Sequence, residues 1–145
     1  MILKKHIKQI ETLLNKESIV SYQLLQTSFN IACLKFQLSN KKSLIAKFFV
    51  TKKNKFNPIR SEARNLIYLN KKFNFFPKLI KSNSNYLVMQ FFENDNNKPK
   101  NTYLNFLKCI VKIHSISNNY YGFNFNTQIG AIEQINDFEK SWVSF

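Results

Sequence analysis

Lys47 and Glu62 are the two side chains whose setting in the sequence suggests chemistry. Lys47 lies in SLIAKFF, whose apolar and aromatic residues predict a strand, and Glu62 lies in SEARNLIYL, whose spacing predicts a helix. Charged groups are seldom buried without a partner, so a lysine in such a strand calls for a carboxylate nearby. A lysine held in this way binds phosphate oxygens. The alternative is one more solvated lysine and an ordinary glutamate on a helix surface.

The elements that must position this pair follow the order strands, helix, strands, linker, helix. The predicted helices are Ile2–Asn15, Ile59–Lys72 after a first-turn proline at Pro58, and Thr102–Ile116. The predicted strands are two within Ile19–Leu38 around a turn at Gln26-Thr27-Ser28, then Leu44–Val50 and Tyr86–Phe92. Residues 93–100, rich in Asn and Lys, have the composition of an exposed linker.

This order predicts an α+β fold. The strands form a small antiparallel sheet, and the helix Ile59–Lys72 packs on one face of it, because that apolar face would otherwise be exposed to water. The helix residues predicted to face the sheet are Ala63, Leu66, Ile67 and Leu69. We expect a first lobe over residues 1–93, a hinge or linker over 94–100, and the beginning of a helical lobe over 101–145.

The formal net charge of +14 normally suggests a phosphate-rich partner. Lys, Asn, Ile and Phe are abundant while Gly and Pro are scarce, as expected when an A+T-rich genome drives codon usage. The lysines are spread along the chain, which favours diffuse charge over a dedicated nucleic-acid surface. A basic protein that contacts RNA through interspersed lysines and aromatic residues remains the alternative.

The two cysteines and the apolar runs bear on the compartment. Cys33 and Cys109 lie in apolar segments and form no CxxC or metal-type cluster with His6 or His114, which favours a reducing interior. The N-terminal segment carries charges throughout, unlike a secretory signal, and no apolar run approaches membrane-spanning length. We therefore expect a cytoplasmic protein with no membrane partner.

The stretch YYGFNFNTQIGAIEQINDFEKSWVSF carries the most specific pattern in the chain. It resembles the segment of the fructosamine (ketosamine) kinases that runs from an aromatic-Gly pair through Gln-x-Asn to Trp-x-x-Phe. The matching residues are Gly122, Gln134, Asn136, Trp142 and Phe145, and KIHSI resembles the helix end that precedes this segment. That family has a protein-kinase-like fold related to the aminoglycoside phosphotransferases. The resemblance covers only the front half of the family's usual length.

The resemblance implies roles for seven residues. Lys47 would hold the α- and β-phosphate oxygens of ATP, and Glu62 would orient it. Gln90, Phe91 and Phe92 would form the hinge whose backbone meets the adenine edge, although the same residues also suit a plain core strand. Relatives have a glycine-rich stretch over the phosphates. Here Thr27 and Ser28 stand in its place, and their hydroxyls would contact the phosphates.

The family's catalytic residues have no counterpart in this sequence. The His-Gly-Asp loop that supplies the base and the later Asp that holds magnesium fall outside it, so we assign no catalytic and no metal-binding residue and interpret His114 as a helix-end residue. A complete enzyme would phosphorylate ketoamine sugar adducts of proteins or small amines with ATP and magnesium. We expect this chain to be inactive alone, as part of a split gene whose other chain supplies the C-terminal lobe, as a degraded gene, or as a repurposed binding module.

Overall fold

A computed structural model describes residues 2–14, 17–51, 55–94, 98–130 and 132–144. The helices are α1 (Ile2–Leu13), α2 (Pro58–Lys72) and α3 (Thr102–His114). The strands are β1 (Ile19–Ser28), β2 (Ile31–Leu38), β3 (Ser43–Phe49), β4 (Leu79–Ser82), β5 (Tyr86–Gln90), β6 (Thr127–Ile129) and β7 (Ile132–Gln134). The predicted α+β fold is confirmed, whereas the short strands β4, β6 and β7 were not predicted. Asn15, residues 95–97 of the predicted linker and Phe145 lie outside the described residues.

The first five strands form one antiparallel sheet in the order β1-β2-β3-β5-β4. Side chains alternate between its two faces, as the pleat requires. In β2 every second residue is buried, beginning with Ala32 and Leu34, and the residues between them, such as Cys33, are half-buried. Cys33 pairs with Lys47 of β3 in register, so the two lie on the same face.

A helix packs against each face of this sheet. On one face Ile10 of α1 joins a buried cluster with Leu34, Phe36 and Phe48. On the other face Ile59 of α2 packs with Phe49 and Leu87. Lys47 and Phe49 are two residues apart in β3, so Lys47 lies on the α2 face. The sheet thereby brings the predicted lysine to the side that carries the predicted glutamate.

The sequence around α2 explains its boundaries. Asn57 caps the helix by accepting a hydrogen bond from the Arg60 backbone N–H, and Pro58 occupies the first turn. The buried stripe follows Ile59, Ala63 and Leu66, at a spacing typical of one helix face. The prediction that Ile67 faces inward is wrong, since it is 46% exposed. It lies one position past the edge of this narrow stripe.

The chain forms two compact units. One comprises residues 1–91 together with 127–133, and the other comprises residues 92–126 together with 134–145. The β6–β7 hairpin thus belongs largely with the five-stranded sheet, although it follows α3 in sequence. None of the helices within the described residues has the length and apolarity needed to cross a membrane.

Candidate functional site

Lys47 and Glu62 meet at the centre of the candidate site. The Lys47 ammonium donates a hydrogen bond from Nζ to Glu62 Oε1 at 2.6 Å, and the two side chains are 25% and 28% exposed. Lys47 reaches this position because β3 places it on the α2 face, and Glu62 reaches it from the second turn of α2. Partial burial limits competition from water, so the pair holds the lysine in a defined orientation.

A cavity of about 440 Å³ opens beside this ion pair. Lys47 and Glu62 line it together with Ser28 and Phe29 from the end of the first hairpin and Cys33 from β2. These residues all belong to the compact unit that contains the sheet. The cavity therefore presents one ammonium group, its carboxylate partner and a set of neutral side chains to a ligand.

The Cys33 thiol faces the same cavity. Burial raises its pKa above the ordinary value; the nearby Lys47 ammonium opposes that shift and the Glu62 carboxylate adds to it. Because burial dominates, the thiol stays protonated at neutral pH. Both Cys33 and Cys109 are free thiols.

The turn between β1 and β2 differs from its predicted position. Gln26, Thr27 and Ser28 belong to β1, and the turn is formed by Phe29 and Asn30, whose φ angles are 48° and 65°. Two left-handed residues in succession are the signature of a type I′ hairpin, in which asparagine is common and phenylalanine is not. The prediction relied on small polar residues and therefore placed the turn too early.

Asn30 ties this turn to the end of β3. Its side-chain Oδ1 accepts hydrogen bonds from the Thr51 backbone N–H at 2.8 Å and from the Thr51 hydroxyl at 2.6 Å. Its backbone carbonyl accepts a third from the Val50 N–H at 3.0 Å. The turn formed by Phe29 and Asn30 is therefore short and held in place.

The structure brings only some of the predicted binding residues to the cavity. Ser28, Lys47 and Glu62 line it. Thr27 pairs with Ala32, whose side chain lies in the cluster on the α1 face of the sheet, so Thr27 points away from the cavity.

The predicted hinge residues lie elsewhere and do not line the cavity. Gln90 ends β5, where its backbone N–H donates to the Lys78 carbonyl at 2.9 Å. The Phe91 ring lies 4.1 Å from the Lys35 ammonium, measured to the ring centroid. Phe92 follows in an exposed position outside the strand.

Sequence reasoning missed the residues that the β6–β7 hairpin contributes. Gln128 and Gly130 also line the cavity. The available signal was Gly130 between the short segments TQI and IEQ, a pattern typical of a short hairpin. That signal gives no indication that the hairpin returns to the sheet, because the return depends on tertiary packing.

Three of the residues that carried the family resemblance, Gly122, Asn136 and Trp142, make defined contacts within the second compact unit. Gly122 has φ 109°, and a Cβ there would lie 2.8 Å from the Asn136 carbonyl oxygen. Asn136 is 2% exposed and its side-chain amide donates to the Phe125 carbonyl at 3.3 Å. The Tyr121 and Trp142 rings lie 5.6 Å apart. The glycine is thus required by the close approach of two backbone segments.

The described residues contain no group of three His, Cys, Asp or Glu side chains positioned to hold a metal ion. What they do contain is an antiparallel five-stranded sheet in which a strand lysine is paired with a helix glutamate. That combination defines the N-terminal lobe of a protein-kinase-like fold.

The family model for fructosamine kinase matches residues 5–145, so the chain belongs to the fructosamine kinase family. Two solved structures share the fold. A protein assigned as a fructosamine-3-kinase from Thermobifida fusca YX-ER1 is 16% identical, with a TM-score of 0.79 over 94% of this chain and 47% of that one. Another so assigned, from Haemophilus somnus 129PT, is 22% identical, with a TM-score of 0.76 over 100% of this chain and 52% of that one. The chain thus spans about half the length of these structures. A comparison with curated protein sequences found no match.

Proposed function

We propose that the cavity beside Lys47 and Glu62 binds the phosphate groups of ATP in a fructosamine-kinase-like phosphotransferase. The observation that carries this proposal is the 2.6 Å ion pair at the wall of a cavity in a kinase-like lobe. Glu62 holds the lysine so that its remaining N–H donors are directed at the α- and β-phosphate oxygens. The Ser28 hydroxyl offers a further donor from the end of β1.

The adenine end of the nucleotide is assigned to the segment after β5. The Gln90 N–H already donates to the Lys78 carbonyl, so the Gln90 carbonyl and the backbone N–H and C=O groups of Phe91 and Phe92 would read the adenine edge, independently of their side chains. The phosphate end lacks a glycine-rich loop, and its donors are side chains on a short, fixed turn. Nucleotide binding therefore depends more on Lys47 than it would in a lobe with a full glycine loop.

The whole enzyme would transfer the γ-phosphoryl group of ATP to a hydroxyl of a ketoamine sugar carried by a protein or a small amine. In that enzyme the sugar hydroxyl would lose its proton to a general base as its oxygen bonds to the γ-phosphorus, and the bond from that phosphorus to ADP would break; magnesium would supply the charge neutralisation. We assign that base and the magnesium ligands to the remaining half of the family fold. Two free cysteines suit the reducing cytoplasm as the place where this occurs.

The exposed face of α3 supports a partner for this chain. The helix has no buried residue, and Tyr103, Leu104, Phe106, Leu107 and Val111 are all exposed. Apolar side chains grouped in this way normally mark an interaction surface. We propose that a separately folded C-terminal lobe covers this face and supplies the catalytic groups.

Protection of Lys47 from an amine-acylating reagent tests the ATP site. Acylation followed by peptide mass spectrometry should show that MgATP slows modification of Lys47 and leaves the exposed Lys81 on β4 unaffected. Equal modification of both lysines with and without MgATP would contradict the proposed site.

The partner proposal has a separate test. The 145-residue chain alone should self-associate in sedimentation and show no phosphorylation of a ketoamine, and a C-terminal lobe containing the His-Gly-Asp loop should restore a defined complex and activity. A monodisperse 145-residue monomer would contradict the proposal that a C-terminal lobe is needed to cover the exposed face of α3.

A further inference from the structure

The β6–β7 hairpin forms a wall of the Lys47–Glu62 cavity. Residues 127–133 cluster with the sheet rather than with α3, and β6 packs against α2, the helix that carries Glu62. Gln128 and Gly130 reach the cavity from this hairpin. The site is therefore assembled from two distant parts of the sequence.

The tips of two turns meet at this wall. Gly130 has φ 60° at the turn of the β6–β7 hairpin. A Cβ at position 130 would lie 3.8 Å from Cζ of the Phe29 ring, an ordinary contact distance, so Phe29 rests close to the glycine. Phe29 is itself held in a left-handed conformation next to the fixed Asn30. This contact sets the hairpin beside the end of β1, where Ser28 faces the cavity.

Neutral hydrogen-bond donors would complement the charged pair in this cavity. Lys47 and Glu62 carry opposite charges, so the pair contributes no net positive charge to a bound polyanion, and the Glu62 carboxylate repels one. The Gln128 side chain is half-buried and its amide makes no hydrogen bond with any of the described residues. An amide NH₂ offers two donors and no charge.

We propose that Gln128 is a ligand-binding residue, and that its side-chain amide donates to the phosphate chain of the nucleotide opposite Lys47. This proposal rests on the proposed function. The hairpin thereby takes over contacts that a glycine-rich loop makes with backbone N–H groups elsewhere. The ligand recognised at this wall is a polyphosphate, and the nucleoside makes no contact with Gln128.

Calorimetric titration of the 145-residue chain with MgATP and with adenosine tests this role. Gln128→Ala should raise the dissociation constant for MgATP about tenfold, as expected for a lost hydrogen bond to a charged group. Binding of adenosine should not change. Gln128→Glu keeps the side-chain shape and adds a negative charge, so it should weaken MgATP more than the alanine variant does. The matched control is Gln23→Ala, an exposed glutamine of β1 outside the cavity.

The outcomes separate this inference from the function on which it rests. If Lys47→Ala weakens MgATP while both Gln128 variants bind like the wild type, the role of Gln128 is overturned and the phosphate site stands. A loss of adenosine binding equal to the loss of MgATP would overturn it too, because a merely structural role affects both ligands. If the wild-type chain binds neither MgATP nor adenosine, the proposed function itself fails.

Discussion

The Lys47 ammonium lies 2.6 Å from the Glu62 carboxylate, although the two residues are 15 positions apart in the sequence. The contact joins the third strand of the sheet to the helix that packs on it. Any change that moves α2 relative to β3 would therefore change the orientation of the lysine.

Asn30 should stabilise the first hairpin through its two side-chain hydrogen bonds with Thr51. Asn30→Gly keeps the left-handed backbone accessible but removes both bonds, so it should lower the free energy of unfolding by ~1–3 kcal/mol. Urea denaturation followed by circular dichroism measures this. Asn30→Asp retains the acceptor oxygen and should lose less. An equal loss for both variants would show that the side-chain bonds do not hold the turn.

Alkylation of Cys33 should report the electrostatics of the cavity. Burial raises the pKa of the folded thiol, so the rate should level off at a higher pH than for the unfolded chain. Since the raised pKa favours the neutral thiol, its contribution to stability is present below the unfolded pKa and is lost as pH rises through the folded pKa.

Two variants, compared by the same alkylation experiment, test how the neighbouring charges shift the pKa of Cys33. Lys47→Ala removes a cation that lowers the pKa of Cys33, so the pH–rate profile should move to higher pH. Glu62→Gln removes a carboxylate that raises it, so the profile should move to lower pH. The pH–rate profiles are read by mass spectrometry at Cys33, with Cys109 as the internal reference. A shift of the profile in the same direction for both variants would contradict this geometry.

Gly122 should tolerate no side chain. Its positive φ disfavours other residues, and a Cβ would press on the Asn136 and Asp137 carbonyl oxygens. Gly122→Ala should therefore lower the stability of the second compact unit, measured by hydrogen exchange at the Phe123 N–H that donates to the Asn136 carbonyl. Gly130→Ala, a change at a positive-φ glycine of the other compact unit where a Cβ has room, serves as the control. Equal exchange rates at Phe123 in both variants would remove the packing argument.

Much of this fold was predictable because its longer strands are rich in apolar, β-branched and aromatic residues and its helices have apolar residues at helical spacing. The apolar positions around Lys47 indicated a strand, and the helix register of α2 placed Glu62 near its start. The family assignment was likewise readable, since Gly122 and Asn136 occupy positions that backbone packing makes hard to replace.

Other features were not readable for identifiable reasons. Phe29 gives no turn signal, because aromatic residues seldom adopt positive φ, yet the hairpin places it there. Strands of three or four residues such as β4 and β6 carry too little periodicity to recognise. The placement of Gln128 at the cavity depends on the return of its hairpin to the sheet, which no local pattern specifies.

The most direct test of the nucleotide site compares two glutamates. Glu62→Ala leaves Lys47 without its partner, and Glu11→Ala changes a half-buried glutamate of α1 that lies outside the cavity. Calorimetric titration with MgATP should show affinity reduced about tenfold for Glu62→Ala, equivalent to ~1.4 kcal/mol, and unchanged for Glu11→Ala. Equal affinities for the two variants would contradict the assignment of Lys47 and Glu62 to ATP binding while leaving the fold intact.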